Sequence, residues 1–170
     1  MQVHRVLRLR RRRGATAVET AIVIPVALMF TLGTCIFGLG IYHYQQVATL
    51  AREGARYASV HGSEYAAVPG NSAVSASDIY TNAILPMAAG LNTNNLSYQI
   101  QWGTAVSGSW VWTSWDASSQ APTSANPNSS PAGQPLYNAV QVTVTYEWTP
   151  GLYFTGTLNL TSTAVMSMSY

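Results

Sequence analysis

From Thr20 to Ile41 the chain reads TAIVIPVALMFTLGTCIFGLGI, 22 residues without one charged side chain. As an α-helix this run extends roughly 33 Å, enough to cross a hydrocarbon layer of about 30 Å. Inside such a layer every backbone N–H and C=O must find its partner within the segment, which leaves the helix as the one conformation open to a single strand of chain. Pro25 removes one donor near the start of the run and predicts a bend there. Six of the eight basic residues (Arg5, Arg8, Arg10, Arg11, Arg12 and Arg13) precede the run, and only Arg52 and Arg56 follow it. That asymmetry predicts a single pass with the N-terminus in the cytoplasm and everything beyond residue 42 outside. Composition agrees: 48% of residues are apolar and 8% charged, against about a quarter charged in an ordinary soluble domain. No basic residue follows Arg56, so no nucleic-acid partner is expected.

Within the run, Thr20, Ala27, Thr31, Thr34 and Gly38 fall on one side of a helix. A stripe of small side chains lets another helix approach closely, although small residues are also common in membrane helices generally. Cys35 is the single cysteine, and it forms no intrachain disulfide. LGTC, residues 32 to 35, loosely resembles a lipoprotein processing box, which makes a lipid-modified Cys35 an alternative reading. The apolar IFGLGIY that follows, where a polar tether belongs, favours a plain membrane-helix residue.

Helical character persists after the apolar run. Val47, Leu50, Ala51, Ala55 and Ala58 recur at threes and fours, with no proline before Gly62, and predict an unbroken helix from about residue 16 to 60. Glu53 and Arg56 are spaced to pair on its surface, with Arg52 beside them; a solvated face or a contact to another subunit fits this group. Further on, Ser75 and Asp78 have capping-box spacing and open a short helix interrupted at Pro86 and ending near Gly90. Strands are predicted at 96–102, 109–115, 140–148 and at the C-terminus. In the third, Val140, Val142, Val144, Tyr146 and Trp148 alternate with Gln141, Thr143, Thr145 and Glu147, giving one buried and one wet face. The stretch 116–136, rich in proline and serine, reads as a long exposed loop.

The residues carry little chemistry. His43 and His61 stand apart, Asp78 and Asp116 stand alone, and no phosphate loop, nucleophile elbow or metal-ligand spacing occurs. No enzyme activity, metal or cofactor is therefore expected. The remaining candidates are five tryptophans, of which Trp110 and Trp112 alternate around Val111 and project from one sheet face as a candidate aromatic surface. Core packing against the long helix is the simpler account of all five.

RRGATAVETAIVIP, followed by LGTCIFGLGIYHYQQVATLAREGARYASV, resembles the N-terminal region of TadE-like proteins, the minor pseudopilins of the tight-adherence (Flp-type, type IV-related) pilus system. AREGARYA at residues 51 to 58 is the most specific part, and no resemblance extends past residue 62. Thr20 stands where members usually carry an aromatic, and Ile36 where they commonly carry a second acidic residue. The resemblance implies a basic leader, residues 1–14, removed between Gly14 and Ala15 by a prepilin peptidase. It makes Glu19 the fifth residue of the mature chain, where it attracts the N-terminal amine of a neighbouring subunit during assembly. The partners it implies are that peptidase, other pilins or pseudopilins, the tight-adherence assembly platform and the bacterial inner membrane. A surface fibre is the implied destination. The whole then reads as an α+β protein: a leader, a long helix over 15–61 with its span at 20–41, and an exported domain over 62–170 in which the pilin-like helix packs on a small antiparallel sheet. The alternatives are an unprocessed single-pass surface-binding module, or the lipoprotein at Cys35.

Overall fold

The computed structural model describes residues 13–62, 65–66, 68–106, 109–115, 138–151 and 156–168. The basic segment up to Arg12, Glu64, the 116–136 loop with Asp116, and Tyr170 lie outside the described residues. The elements are α1 (Arg13–Ser59), α2 (Ala76–Ile79), β1 (Leu96–Val106), β2 (Ser109–Ser114), β3 (Asn138–Trp148) and β4 (Leu158–Ser167). The architecture is α+β, a long N-terminal apolar helix followed by a four-stranded antiparallel sheet in the order β2-β1-β3-β4.

Two compact units divide the chain, Met1–Leu39 and Gly40–Tyr170. In the first, the apolar side chains of α1 are exposed all round, Val18, Ile22, Leu28, Phe30 and Phe37 among them. A helix apolar on every side has no polar face to give to water, as in a membrane span.

In the second unit α1 becomes one-sided. Val47, Leu50, Ala51, Ala55 and Ala58 are buried, on the spacing that gathers them into a single stripe. They form one core with Ile79, Ile84, Ala88 and Leu91 of the connecting segment and with Ile100, Val140, Val142, Val144 and Tyr146 of the sheet. Each buried valine, leucine or isoleucine among them contributes roughly 1.5–3 kcal/mol by leaving water. The wet face of β3 joins β4 through paired threonine hydroxyls, Thr143 with Thr163 and Thr145 with Thr161, each 3.0 Å apart.

The connecting segment starts as its sequence predicts and then departs from it. The Ser75 hydroxyl accepts from the Asp78 N–H at 3.2 Å, and the Asp78 carboxylate accepts from the Ser75 N–H at 2.8 Å. Only four residues, Ala76–Ile79, are then α-helical; Tyr80–Ile84 form a π-turn and Leu85–Met87 a 3-10 turn. The proline ring of residue 86 conflicts with the carbonyl four residues earlier, and a wider turn relieves that clash. Gly90, at φ +86°, ends the segment in a conformation that favours glycine. Strand β1 also runs to Val106, past the expected 102, because β2 folds back on it from Val106↔Ser109 to Gln101↔Ser114.

Candidate functional site

Candidate residues fall on two surfaces, α1 and the outer face of the sheet. On α1, Gly14 lies at the helix start with Ala15 after it, and Glu19 is exposed. Ala27, Thr31, Thr34 and Gly38 are all exposed. Thr20 Oγ1 donates to Thr16 O at 2.7 Å, Thr31 Oγ1 to Ala27 O at 2.8 Å and Thr34 Oγ1 to Phe30 O at 2.8 Å. Each hydroxyl is thus satisfied by its own helix and turns a methyl group outward. Cys35 is exposed on the same unbroken helix. In the second unit, Arg56 Nε stands 3.9 Å from Glu53 Oε2, and both Arg52 and Arg56 point into solvent.

Further along α1 lies a group that sequence periodicity overlooks. The His43 ring sits 5.7 Å from Tyr146 and 5.8 Å from Trp148, centroid to centroid. Trp148 lies over Gly40, where a Cβ would fall 2.9 Å from its ring. The stripe that packs in this unit therefore begins at Gly40 and His43, one helical step before Val47. The clue in the sequence is the spacing of Gly40, His43, Val47, Leu50 and Gly54, visible once glycine is counted as a contact position.

The tryptophans divide by face. Trp115 is buried and donates from Nε1 to Val74 O at 2.9 Å; Trp102 and Trp148 pack against the core. Trp110 and Trp112 lie on the opposite, outer face, because Trp112 pairs with Gly103 and Trp110 with Ala105, whereas the core residue Ile100 has the other parity. Their rings are 18° from parallel with centroids 5.4 Å apart. A Cβ on Gly103 would fall 2.6, 2.7 and 3.0 Å from three consecutive atoms of the Trp112 ring. Distances so nearly equal place that point over the ring face, so the indole lies flat on the strand.

Among the described residues the one perturbed titrating group, Asp78, is structural. Hydrogen bonds from the Ser75 hydroxyl and then from the Ser75 N–H hold its carboxyl below the ordinary aspartate range.

Among the described residues one helix is long and apolar enough to cross a membrane, and a small α+β domain follows it, an arrangement that fits a membrane-anchored protein. Residues 14–56 match the family model described as TadE-like protein, so over this segment the chain is similar to that family, which fits a membrane protein associated with the tight-adherence pilus system. No curated protein and no solved structure matches the chain.

Proposed function

We propose that the protein is a non-enzymatic pseudopilin of the tight-adherence system, held in the inner membrane by α1 with its C-terminal domain outside. A prepilin peptidase trims it between Gly14 and Ala15, and it then joins other pilins or pseudopilins, at the assembly platform, in a pilus or related secretion fibre. The observation that carries this reading is the fully exposed apolar part of α1, headed by Glu19, lying inside the TadE-like segment. A carboxylate costs on the order of ~3 kcal/mol at mid-membrane and less near the surface, and a cationic partner offsets that cost. Cleavage creates such a partner, the α-amine of Ala15, which a neighbouring subunit can present to Glu19. The side chains of Ala27, Thr31, Thr34 and Gly38, small and with both hydroxyls bonded internally, allow the second helix close in. Arg52, Glu53 and Arg56 supply polar contacts beyond the membrane.

Intact mass and N-terminal sequencing of the membrane-extracted chain test the processing step. A chain beginning at Ala15 supports the proposal; a retained leader favours an unprocessed surface-binding module, and a lipid-modified Cys35 the lipoprotein. Glu19→Ala is expected to insert and be cleaved yet be lost from sheared surface fibres. Incorporation at the parent level refutes the pairing role of Glu19.

A further inference from the structure

We infer that the end of the sheet where β3 passes to β4 lies in the lipid headgroup layer, so that Trp148 and Leu158, far downstream of the apolar run, are membrane contacts together with Tyr42 and Tyr44. The inference rests on the membrane reading proposed above and adds to it a second contact with the bilayer, remote in sequence from the span.

Gly40 fixes the depth. Gly40 and Ile41 close the uncharged run of residues 20–41, and the Trp148 ring lies against Gly40, 2.9 Å from where a Cβ would stand. Whatever layer receives Gly40 therefore receives that indole. The run extends roughly 33 Å against a hydrocarbon thickness of about 30 Å, which sets its last residues at the hydrocarbon boundary. Beyond the boundary the headgroup layer is about 5–8 Å deep, and the turn of α1 from Gly40 to Tyr44 rises about 6 Å through it. Tyr42 and Tyr44 are both exposed on that turn, and tyrosine and tryptophan are the side chains enriched at this depth.

Leu158 carries the contact on to β4. It is the register partner of Trp148, so both side chains lie on the face of the sheet that holds the core. Yet Leu158 is 48% exposed, whereas Leu160, two residues further on, packs against the core. An apolar side chain left open beside an indole at the hydrocarbon boundary is stabilised by lipid rather than water. The polar groups nearby agree. The Tyr42 hydroxyl accepts from Gln46 Nε2 at 2.9 Å, and Glu147, next to Trp148, is exposed with the opposite parity and faces away from α1. The first arginine beyond the run is Arg52, about 18 Å past Gly40 along the helix. Apolar and aromatic contact therefore sets the depth, and a neutral lipid suffices.

The test is nitroxide power saturation of the full chain in phosphatidylcholine vesicles, with oxygen and a water-soluble nickel chelate as collision partners and the chelate on both sides of the membrane. The label is placed through Leu158→Cys or Val165→Cys, each combined with Cys35→Ser; Val165 is exposed on the same strand, about 23 Å from Leu158. In the parent chain the label sits on Cys35, within the apolar run. Oxygen concentrates in hydrocarbon and the chelate is excluded from it, so the oxygen-to-nickel collision ratio is expected to be about threefold or more higher at position 158 than at 165. Both substituted side chains are exposed, and far-UV circular dichroism checks that each labelled variant is folded. Equal, aqueous ratios at 158 and 165, with the Cys35 label in hydrocarbon, overturn the inference and leave the membrane reading standing. An aqueous ratio at Cys35 overturns both. Low collision with both reagents at position 158 shows a protein neighbour there, a second copy included, and likewise overturns the inference.

Discussion

Replacing Gly54 tests whether the close seat of α1 on the sheet sets the stability of the second unit. A Cβ at this position falls 3.1 Å from Ile84 Cδ1, Ile84 Cγ1 and Val142 Cγ1 alike. Carbon pairs settle at roughly 3.5–4.0 Å, so all three contacts have to open together. Neither neighbour has free space: both are fully buried, Ile84 in the π-turn and Val142 in a strand paired on both sides. Gly54→Ala gains about 1 kcal/mol of helix propensity and loses about 1–3 kcal/mol to overpacking. The expected net effect runs from neutral to a destabilisation of about 2 kcal/mol. Gly54→Leu places three more carbons in the same space, with no further propensity gain, and is expected to cost about 3 kcal/mol or more. For a unit of this size 1 kcal/mol corresponds to roughly 3–5 °C in Tm, so the leucine variant melts about 10 °C or more below the parent. The assay is thermal melting of the detergent-solubilised chain, followed by near-ultraviolet circular dichroism of the buried tryptophans. Ile84→Val removes one of the three close atoms, and its combination with Gly54→Ala is expected to be milder than the sum of the single changes by about 0.5 kcal/mol or more. A leucine variant that melts with the parent refutes the packing argument.

The other predictions follow from single contacts. Val142→Ala deletes two buried methyl groups and is expected to cost about 2–3 kcal/mol, while Thr143→Ala on the wet face costs under about 1 kcal/mol; equal losses in denaturant titrations would contradict the assignment of faces. Trp115→Phe leaves Val74 O without its donor and is expected to cost about 1–3 kcal/mol, read from the urea midpoint. Asp78→Ala removes the reciprocal cap. Because the folded-state pKa of Asp78 is depressed, the contribution of the carboxylate is complete above the ordinary aspartate pKa and disappears as pH falls through the folded-state value. The stability gap between parent and Asp78→Ala therefore narrows in acid, and a gap independent of pH rejects the cap as its source.

Much of the fold is legible because local pattern and tertiary demand coincide. The alternation from Val140 to Trp148 survives as the buried and wet faces of β3, since this strand lies between two neighbours with the core on one side only. Ser75 and Asp78 interact over three residues, and the capping box needs nothing distant. What periodicity misses is set by pairs remote in sequence. Gly40 under Trp148, Gly54 against Ile84 and Val142, and Gly103 beneath Trp112 have no local signature. The face of β2 is likewise unreadable in isolation, because Trp110, Val111 and Trp112 are apolar without a break and parity selects nothing. The register Trp112↔Gly103 decides it. On α1 the candidates Glu19, Ala27, Thr31, Thr34 and Gly38 could be placed on a helix from sequence, but the partners proposed for them lie on another subunit and leave no trace in one chain.

The order in which the core is completed has a consequence for biosynthesis. Leu50 belongs to the first element made and Val142 to the third strand, yet the two share one core. A helix forms within microseconds, whereas the about 90 residues between them take about 5–20 s to synthesise at roughly 5–20 residues per second. Throughout that interval the stripe from Val47 to Ala58 is an apolar helix face with no sheet to cover it, directly continuous with the apolar run before it. The nascent domain must therefore be sheltered by something other than itself, and, with the first half of α1 inserted as proposed, the lipid interface is the surface at hand. Lengthening the 116–136 segment would prolong that exposure in direct proportion to the residues added, making yield during synthesis more sensitive to the length of that segment than the finished fold.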